Sequence, residues 1–493
     1  MNRNLFNIRT GRLMRRTALW AAGLAAATAT AGNPSVGPQV RIDKAGTTFA
    51  ANETSAASTD VFPLEVVGTW NDWRDSTFNE IIRMGVAVSL DGGQTWTDFL
   101  VRPPAANQST VEGDPMTAYD NRTGNLWVGA ISFAGNGGVF VAKKRLGQTS
   151  FEPSVMARRT GGADKCWMAA GIRPGEPNST RLYIAYNEGI IWSDDEGQTW
   201  TAPRSLGSGI GFLPRVGPQG EVYVCYWDFG SGVMLKRSFN GGSSFDTIRI
   251  ATRMDVWGTQ DGSRFPGQFR VPPLNYLAVH PTRGTLYCVY FDTTDIQNNN
   301  RNVDLYFTRS NDRGATWTTP RVINGEANPA GDQFFPWIEV DSSGRLHLVF
   351  FDSRGINQND NAVNGMFNNY YAFSDDDGNT WTEFRLTPAA WNSNNDGLNR
   401  SNQFIGDYAG LAVGGTRAYP CYLSTQNGDS DIFVNVVLSQ LSGDLNGDGC
   451  VNQADLATLL SCFGVGACGD VDGDGDTDQA DLAALLANYG AGC

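Results

Sequence analysis

Histidine is nearly missing from this 493-residue chain, with His280 and His347 the only two. That argues against a Ser-His-Asp hydrolase and against a histidine-rich metal centre. Basic residues are also in deficit, 37 Lys+Arg against 51 Asp+Glu, for a net charge of −14. No basic patch dominates, so a nucleic-acid partner has no electrostatic support. Past the N-terminus no apolar run is long enough to cross a bilayer, so no transmembrane segment is expected in the mature chain. Long amphipathic periods are scarce too. The 58 glycines, 14 Trp, 15 Tyr and 26 Phe sit in short apolar runs, which suits strands and turns.

What the N-terminus holds is an export signature. Arg3, Arg9, Arg12, Arg15 and Arg16 form a basic region without acids, followed by an apolar stretch from Ala18 to Ala27. Ala29-Thr30-Ala31 is a small-residue cleavage pattern. Residues 1–31 therefore read as a signal peptide, and the mature protein is expected outside the cell or at its surface. The export route stays open.

An octapeptide returns along the chain. It stands as Ser89-Leu-Asp-Gly-Gly-Gln-Thr-Trp96, Ser193-Asp-Asp-Glu-Gly-Gln-Thr-Trp200, Ser310-Asn-Asp-Arg-Gly-Ala-Thr-Trp317 and Ser374-Asp-Asp-Asp-Gly-Asn-Thr-Trp381. A weaker copy runs Ser238-Phe-Asn-Gly-Gly-Ser-Ser-Phe245. The composition fits a hairpin turn, in which Asp accepts from turn amides, Gly supplies positive φ and Trp covers apolar surface. This S-x-D-x-G-x-T-W pattern is that of the Asp-box, and the chain resembles the sialidase-like (BNR-repeat) propellers. The resemblance implies an all-β propeller over 32–441. Seven apolar strands recur, from Leu64–Trp70 to Ala418–Leu423, about 58 residues apart, so seven blades are expected, with six left open. The last unit lacks an outer strand, and Gln39-Val-Arg-Ile-Asp43 is expected to supply it and close the ring.

In such a ring the boxes are scaffold on one face, and the family places its ligand site on the other. Charged residues expected at the start of inner strands are Glu53, Glu112, Asp114, Asp164, Lys165, Arg215, Arg270, Asp332 and Asp407. Arg74, Asp292 and Arg354 come from neighbouring loops, and Trp391 adds an exposed ring beside Asn-rich stretches. Asp, Asn, Arg and open aromatic faces are what a sugar site uses. The expected ligand-binding set is thus Arg74, Asp164, Arg215, Asp292, Arg354 and Trp391. Asp114, Asp332 and Asp407 are the candidates for acid/base work. The R-I-P motif that the resemblance implies before the first box is missing from Phe78-Asn-Glu-Ile-Ile-Arg-Met84, which weighs against an exo-sialidase.

From Gly443 the composition changes. The final 51 residues hold nine Asp and no Glu, Lys or Arg. Two 12-residue loops, 444–455 and 470–481, present oxygen-bearing residues at recurring positions, with Gly at the sixth. The expected Ca²⁺ ligands are Asp444, Asn446, Asp448, the Cys450 carbonyl, Asn452 and Asp455 in the first loop. In the second they are Asp470, Asp472, Asp474, Asp476, Asp478 and Asp481. A helix with an apolar stripe follows each loop. Duplicated loop plus helix, with Asp at position 12, resembles a type I dockerin, so 442–493 is read as a dockerin-like domain binding two Ca²⁺. That implies a cohesin-like or cell-surface protein partner. Gln453-Ala454 and Gln479-Ala480 depart from the usual Ser-Thr recognition pair. Cys450, Cys462, Cys468 and Cys493 are expected to form two disulfides in any of three connectivities, while Cys166, Cys225, Cys288 and Cys421 read as buried thiols.

Two functions remain. One is a secreted carbohydrate-active protein, binding or hydrolysing a glycan or polysaccharide. The other is a non-enzymatic scaffold or adhesion propeller that binds proteins.

Overall fold

A computed structural model describes residues 34–43, 49–76, 81–252, 266–297, 300–327, 329–359, 362–398, 403–439, 441, 443–446, 450–471 and 475–490. The expected signal peptide lies outside them. Among these residues almost all regular structure is β, with two short helices, Gln453–Cys462 (α1) and Gln479–Ala487 (α2), near the C-terminus. No helix among the described residues is long and apolar enough to cross a membrane.

Among the described residues the strands form seven small antiparallel sheets that follow one another along the chain. Their first strands are Ala51–Ser58, Glu112–Tyr119, Trp167–Arg173, Ile210–Val216, Tyr276–Val279, Gln333–Val340 and Gly410–Gly414. Each first strand contacts the next, and the seventh returns to the first. The result is a closed, propeller-like all-β ring. Three sheets of the ring illustrate how it is made. In the first, Ala51–Ser58, Val66–Asp72, Arg83–Ser89 and Thr97–Val101 meander outward. In the third, the outermost position is reduced to an Ile190–Arg204 bridge. In the seventh it is filled from the other end of the chain, where Val40–Arg41 pairs with Val434 and Phe433. Arg41 reinforces that junction with a 2.6 Å ion pair to buried Asp431. The seam expected at Gln39–Asp43 is therefore where the ring closes.

Each octapeptide forms the same hairpin turn. In the third copy Asp312 Oδ1 accepts from Ser310 Oγ at 2.8 Å and Thr316 N at 2.9 Å, while Thr316 Oγ1 donates to Oδ2 at 2.6 Å. Trp317 Nε1 closes back on Gly314 O. Positions four and five both take positive φ, 59° at Arg313 and 76° at Gly314. The turn then leans on the preceding sheet. Trp381 of the sixth sheet meets Phe307 of the fifth edge-to-face at 5.5 Å, and a Cβ on Gly93 of the first would lie 2.8 Å from Val436. The boxes thus staple neighbouring sheets together.

The Thr316 hydroxyl and amide hold the Asp312 carboxyl down to about 2, against an ordinary 3.8. Its folded pKa lies below the unfolded one, so its contribution is complete above pH 4 and fades as pH falls towards 2. Asp312→Ala should cost about 1 kcal/mol in urea unfolding at pH 7. Asp312→Asn should keep most of the stability, because Asn240 accepts from Ser238 and Ser244 in the same geometry. It should also lose the acid-sensitive part between pH 4 and 2; an unchanged pH profile in Asp312→Asn would contradict this account.

Candidate functional site

At one mouth of the ring, six of the seven sheets place a residue with positive φ at or just before the first strand. These are Glu53 (54°), Asp114 (55°), Lys165 (49°), Gly211 (71°), Phe335 (47°) and Gly406 (87°). In four of these sheets the pairing register slips there, which marks a bulge that re-aims a side chain. Glycine accepts such a backbone without strain, whereas a glutamate, aspartate or lysine there costs about 1–2 kcal/mol each. Strain of this kind persists where the surrounding structure imposes it, and it concentrates at functional sites.

The three charged residues of this set, Glu53, Asp114 and Lys165, converge. Lys165 Nζ stands 3.4 Å from Glu53 Oε1 and 3.5 Å from Asp114 Oδ1, and it forms a closer pair with Asp407. The Lys165 amide donates to Asp114 Oδ2 at 2.7 Å. Arg270 caps the group, with Nε 2.7 Å from Asp407 Oδ1 and its guanidinium over the Phe404 ring at 4.6 Å. Asn71 Nδ2 donates to Glu53 Oε2 at 2.7 Å. Glu53, Asp114, Lys165 and Asp407 are all buried, while the Arg270 side chain remains 43% exposed. Below them Trp167, Tyr276, Trp337 and Tyr408 pack ring against ring and floor the site.

The environments drive these groups apart. Burial, with Asp407 and Asp114 nearby, pushes Glu53 up to about 8 despite Lys165. Burial opposes ionisation of Asp407 too, but Lys165 and Arg270 outweigh it and hold that carboxyl below its ordinary value. Lys165 stays firmly protonated because the carboxylates around it outweigh its desolvation. At neutral pH the site thus pairs a protonated Glu53 with an ionised Asp407. A carboxylic acid next to a carboxylate can donate a proton on one side and stabilise positive charge on the other.

The expected residues divide by location. Asp114 and Asp407 belong to the cluster, and Asp164 stands at its rim, its carboxyl raised by desolvation and by Asp114. Asp332 does not join them; its Oδ1 accepts from Val303 N at 3.1 Å, in a link between the fifth and sixth sheets. Asp292, buried, accepts from Thr293 N within the fifth sheet. Arg74 and Arg354 are tied into their own sheets, Arg74 to Asp72 and Asp98, and Arg354 to Asp352 and Glu383. Arg215 sits near the end of its strand rather than the start, so it opens on the opposite mouth, where it pairs with Glu339 at 2.7 Å. Trp391, expected as an open ring, is only 1% exposed: its indole donates to Asn369 and packs on Phe351 and Phe367. The exposed rings near the mouth are Phe133 (48%) and Phe229 (56%), which follow second strands and carry no sequence signal beyond their place after the strand. Tyr276 and Tyr408 carry no sequence signal either, because only the closed ring brings both against Trp167.

The C-terminal loops lead into capped helices. Asn452 caps α1 and Asp478 caps α2, each with an aspartate, Asp455 or Asp481, completing the reciprocal bond. Asp455 Oδ1 also accepts from Leu445 N and Asn446 N, and Asp481 Oδ1 from Val471 N. Asp470 Oδ2 accepts from Gly475 N at 3.0 Å. Asp444 and Cys450 stand in the described part of the first loop. Carboxylate oxygens of Asp476, Asp478 and Asp481 lie within 4.8 Å of one another. This hard, all-oxygen donor set suits Ca²⁺. Asp448, Asp472 and Asp474 lie outside the described residues. Cys462 bonds to Cys468, and Cys450 is disulfide-bonded as well, while Cys166, Cys225, Cys288 and Cys421 are buried free thiols.

No protein-family model matches the chain, and no curated protein does. Among solved structures, a protein of unknown function from Dyadobacter fermentans aligns at 15% identity over 66% of this chain and 96% of its own, with a TM-score of 0.40. A Hadza microbial sialidase aligns at 18% identity over 78% of this chain and 65% of its own, with a TM-score of 0.38. The GH93 α-L-arabinofuranosidase of Fusarium graminearum aligns at 12% identity over 82% of this chain and 98% of its own, with a TM-score of 0.43.

Proposed function

We propose that this chain is an exported glycan-active protein, a seven-bladed Asp-box propeller whose axial mouth binds and hydrolyses glycans. The observation that carries this reading is the convergence of Glu53, Asp114 and Asp407 from three sheets on one ammonium, with Glu53 held protonated near neutral pH. In the proposed reaction Glu53 gives its proton to the glycosidic oxygen, and the Asp114 carboxyl group faces the developing positive charge or positions water. Asp407 holds Lys165 and Arg270 in place. Phe133 and Phe229 offer stacking surfaces at the rim.

The test is to incubate the purified chain in Ca²⁺ with a panel of plant and bacterial polysaccharides and sialyllactose, and to measure new reducing ends and free sialic acid. Release from at least one substrate is expected. No release from any, alongside retained binding on a glycan array, would leave a lectin-like propeller in its place. Neither release nor glycan binding would favour the protein-binding scaffold, a reading that the near-complete burial of Lys165 and Asp407 supports.

The C-terminal unit, in this reading, is a dockerin-like module that attaches the propeller to a cohesin-like or cell-surface protein. Its loops would hold two Ca²⁺ through the oxygens already named, and the ions would relieve repulsion among the aspartates. Calorimetric titration of chelator-treated protein should show two Ca²⁺ bound, with a gain of helical circular dichroism. Binding of none would remove the calcium assignment.

A further inference from the structure

The opposite mouth of the ring holds a cavity of about 230 Å³. All seven sheets line it, through the later residues of their first strands or the turns beyond. The floor is Trp337, which belongs to the aromatic layer under the Lys165 cluster, so one thickness of rings separates the two mouths. This cavity lies on the Asp-box side, away from the carboxylates discussed above.

Three polar groups are spare there. Arg215 lies over the Trp337 face at 5.5 Å and spends Nε on Leu277 O (2.8 Å) and Nη2 on Glu339 (2.7 Å); Nη1 donates to nothing among the described residues. Glu339 uses Oε1 for both Arg215 and Trp337 Nε1, which leaves Oε2 without a donor among them. The Tyr119 hydroxyl faces the same space, near enough for Glu339 and Arg215 to act on it, and makes no hydrogen bond among the described residues. One donor, one acceptor and one hydroxyl that can be either are thus arranged over an indole.

We infer that this axial cavity is a second binding site, for a neutral polyhydroxylated molecule of monosaccharide size. The alternatives fail on chemistry. The walls carry Asp60, Asp120, Glu339 and Asp341 against Arg122 and Arg215, and both arginines are already paired, so an anion is repelled. A cation would find one open oxygen on Glu339, because Asp60, Asp120 and Asp341 already accept from Gly415, Arg122 and Ser343. A purely apolar guest would strand the three spare polar groups. A sugar ring can offer hydroxyls to all three and a C–H face to the aromatic floor. This site does not depend on the hydrolytic reading of the other mouth.

Isothermal titration of the full chain in Ca²⁺ with D-glucose, D-galactose and sodium N-acetylneuraminate tests it. Saturable binding of at least one neutral sugar is expected, and none of N-acetylneuraminate. Tyr119→Phe, which keeps the ring and the fold, should weaken the neutral sugar about 3- to 10-fold. Glu53→Gln, at the other mouth, should leave that affinity unchanged. Absence of binding by both neutral sugars, an unaltered affinity in Tyr119→Phe, or loss of binding in Glu53→Gln would each overturn the assignment.

Discussion

Lys165→Met is expected to cost about 3–5 kcal/mol of stability at pH 7, because it leaves Glu53, Asp114 and Asp407 buried around a missing cation. Arg270 alone cannot replace it, since its guanidinium reaches Asp407 closely but stands 3.7 Å from Glu53. The sign of the pH response follows from the cause. Without the ammonium, the buried carboxyls bind protons more tightly in the folded state than in the unfolded chain. The deficit therefore shrinks on acidification towards pH 5 and widens as pH rises. Asp407→Asn placed on top of Lys165→Met should recover part of the loss, with a coupling of about 0.5–3 kcal/mol. Urea unfolding of the two singles and the double at pH 5 and pH 8 measures all of this. A Lys165→Met protein of wild-type stability at pH 8 would show that the cluster is solvated in solution.

Glu53→Gln should have the opposite effect on stability and a large effect on catalysis. Glu53 titrates at about 8 in the fold against 4.5 in an open chain. Its folded pKa is the higher one, so wild-type stability declines as pH rises from about 4.5 to 8. The amide carries no such penalty, and Glu53→Gln should melt above the wild type at pH 8–9. Its kcat on an unactivated glycoside should fall by about 10²- to 10⁴-fold, the contribution of a positioned general acid. Aryl glycosides with good leaving groups should lose far less, because they need less help from a proton. The alkaline limb of the wild-type pH profile, expected near 8, should vanish in the variant. An equal loss on activated and unactivated substrates would remove Glu53 from the acid role while leaving the stability result intact.

The residues of that cluster were legible one by one; their meeting was not. Glu53, Asp114, Lys165, Arg270 and Asp407 can be placed at inner-strand entries from the strand periodicity alone. Their convergence depends in part on bulges, and a bulge leaves no mark in a hydrophobic pattern when its positive-φ residue is a glutamate or an aspartate. Where glycine takes that position, as at Gly211, nothing distinguishes it from a turn glycine. Arg215, four residues further along, is consequently expected at the start of its strand but stands near the end. Trp391 misled for a different reason: an Asn-rich surrounding suggests solvent, but its two-residue strand pairs with Met366–Phe367 and folds the ring inward. The D-x-R spacing of Asp72–Arg74 and Asp352–Arg354 could have flagged both arginines as locally paired, since each guanidinium returns to the aspartate two residues before it. The boxes, by contrast, were fully readable, because the hydrogen bonds that shape each turn fall within eight consecutive residues.

The seam between Val40–Arg41 and Asp431–Val434 also has a temporal meaning. The two partners stand at opposite ends of the ring's sequence, so a growing or translocating chain cannot complete the seventh sheet until nearly all of it has emerged. Until then Val40–Arg41 has no partner strand and is open to a second molecule. Closing so long a loop carries its entropic cost late, when six sheets can already be stacked. Assembly is thus ordered like a clasp, with a strand made early being used last, and loss of residues 34–43 would leave the seventh sheet with an open edge prone to pair with another molecule.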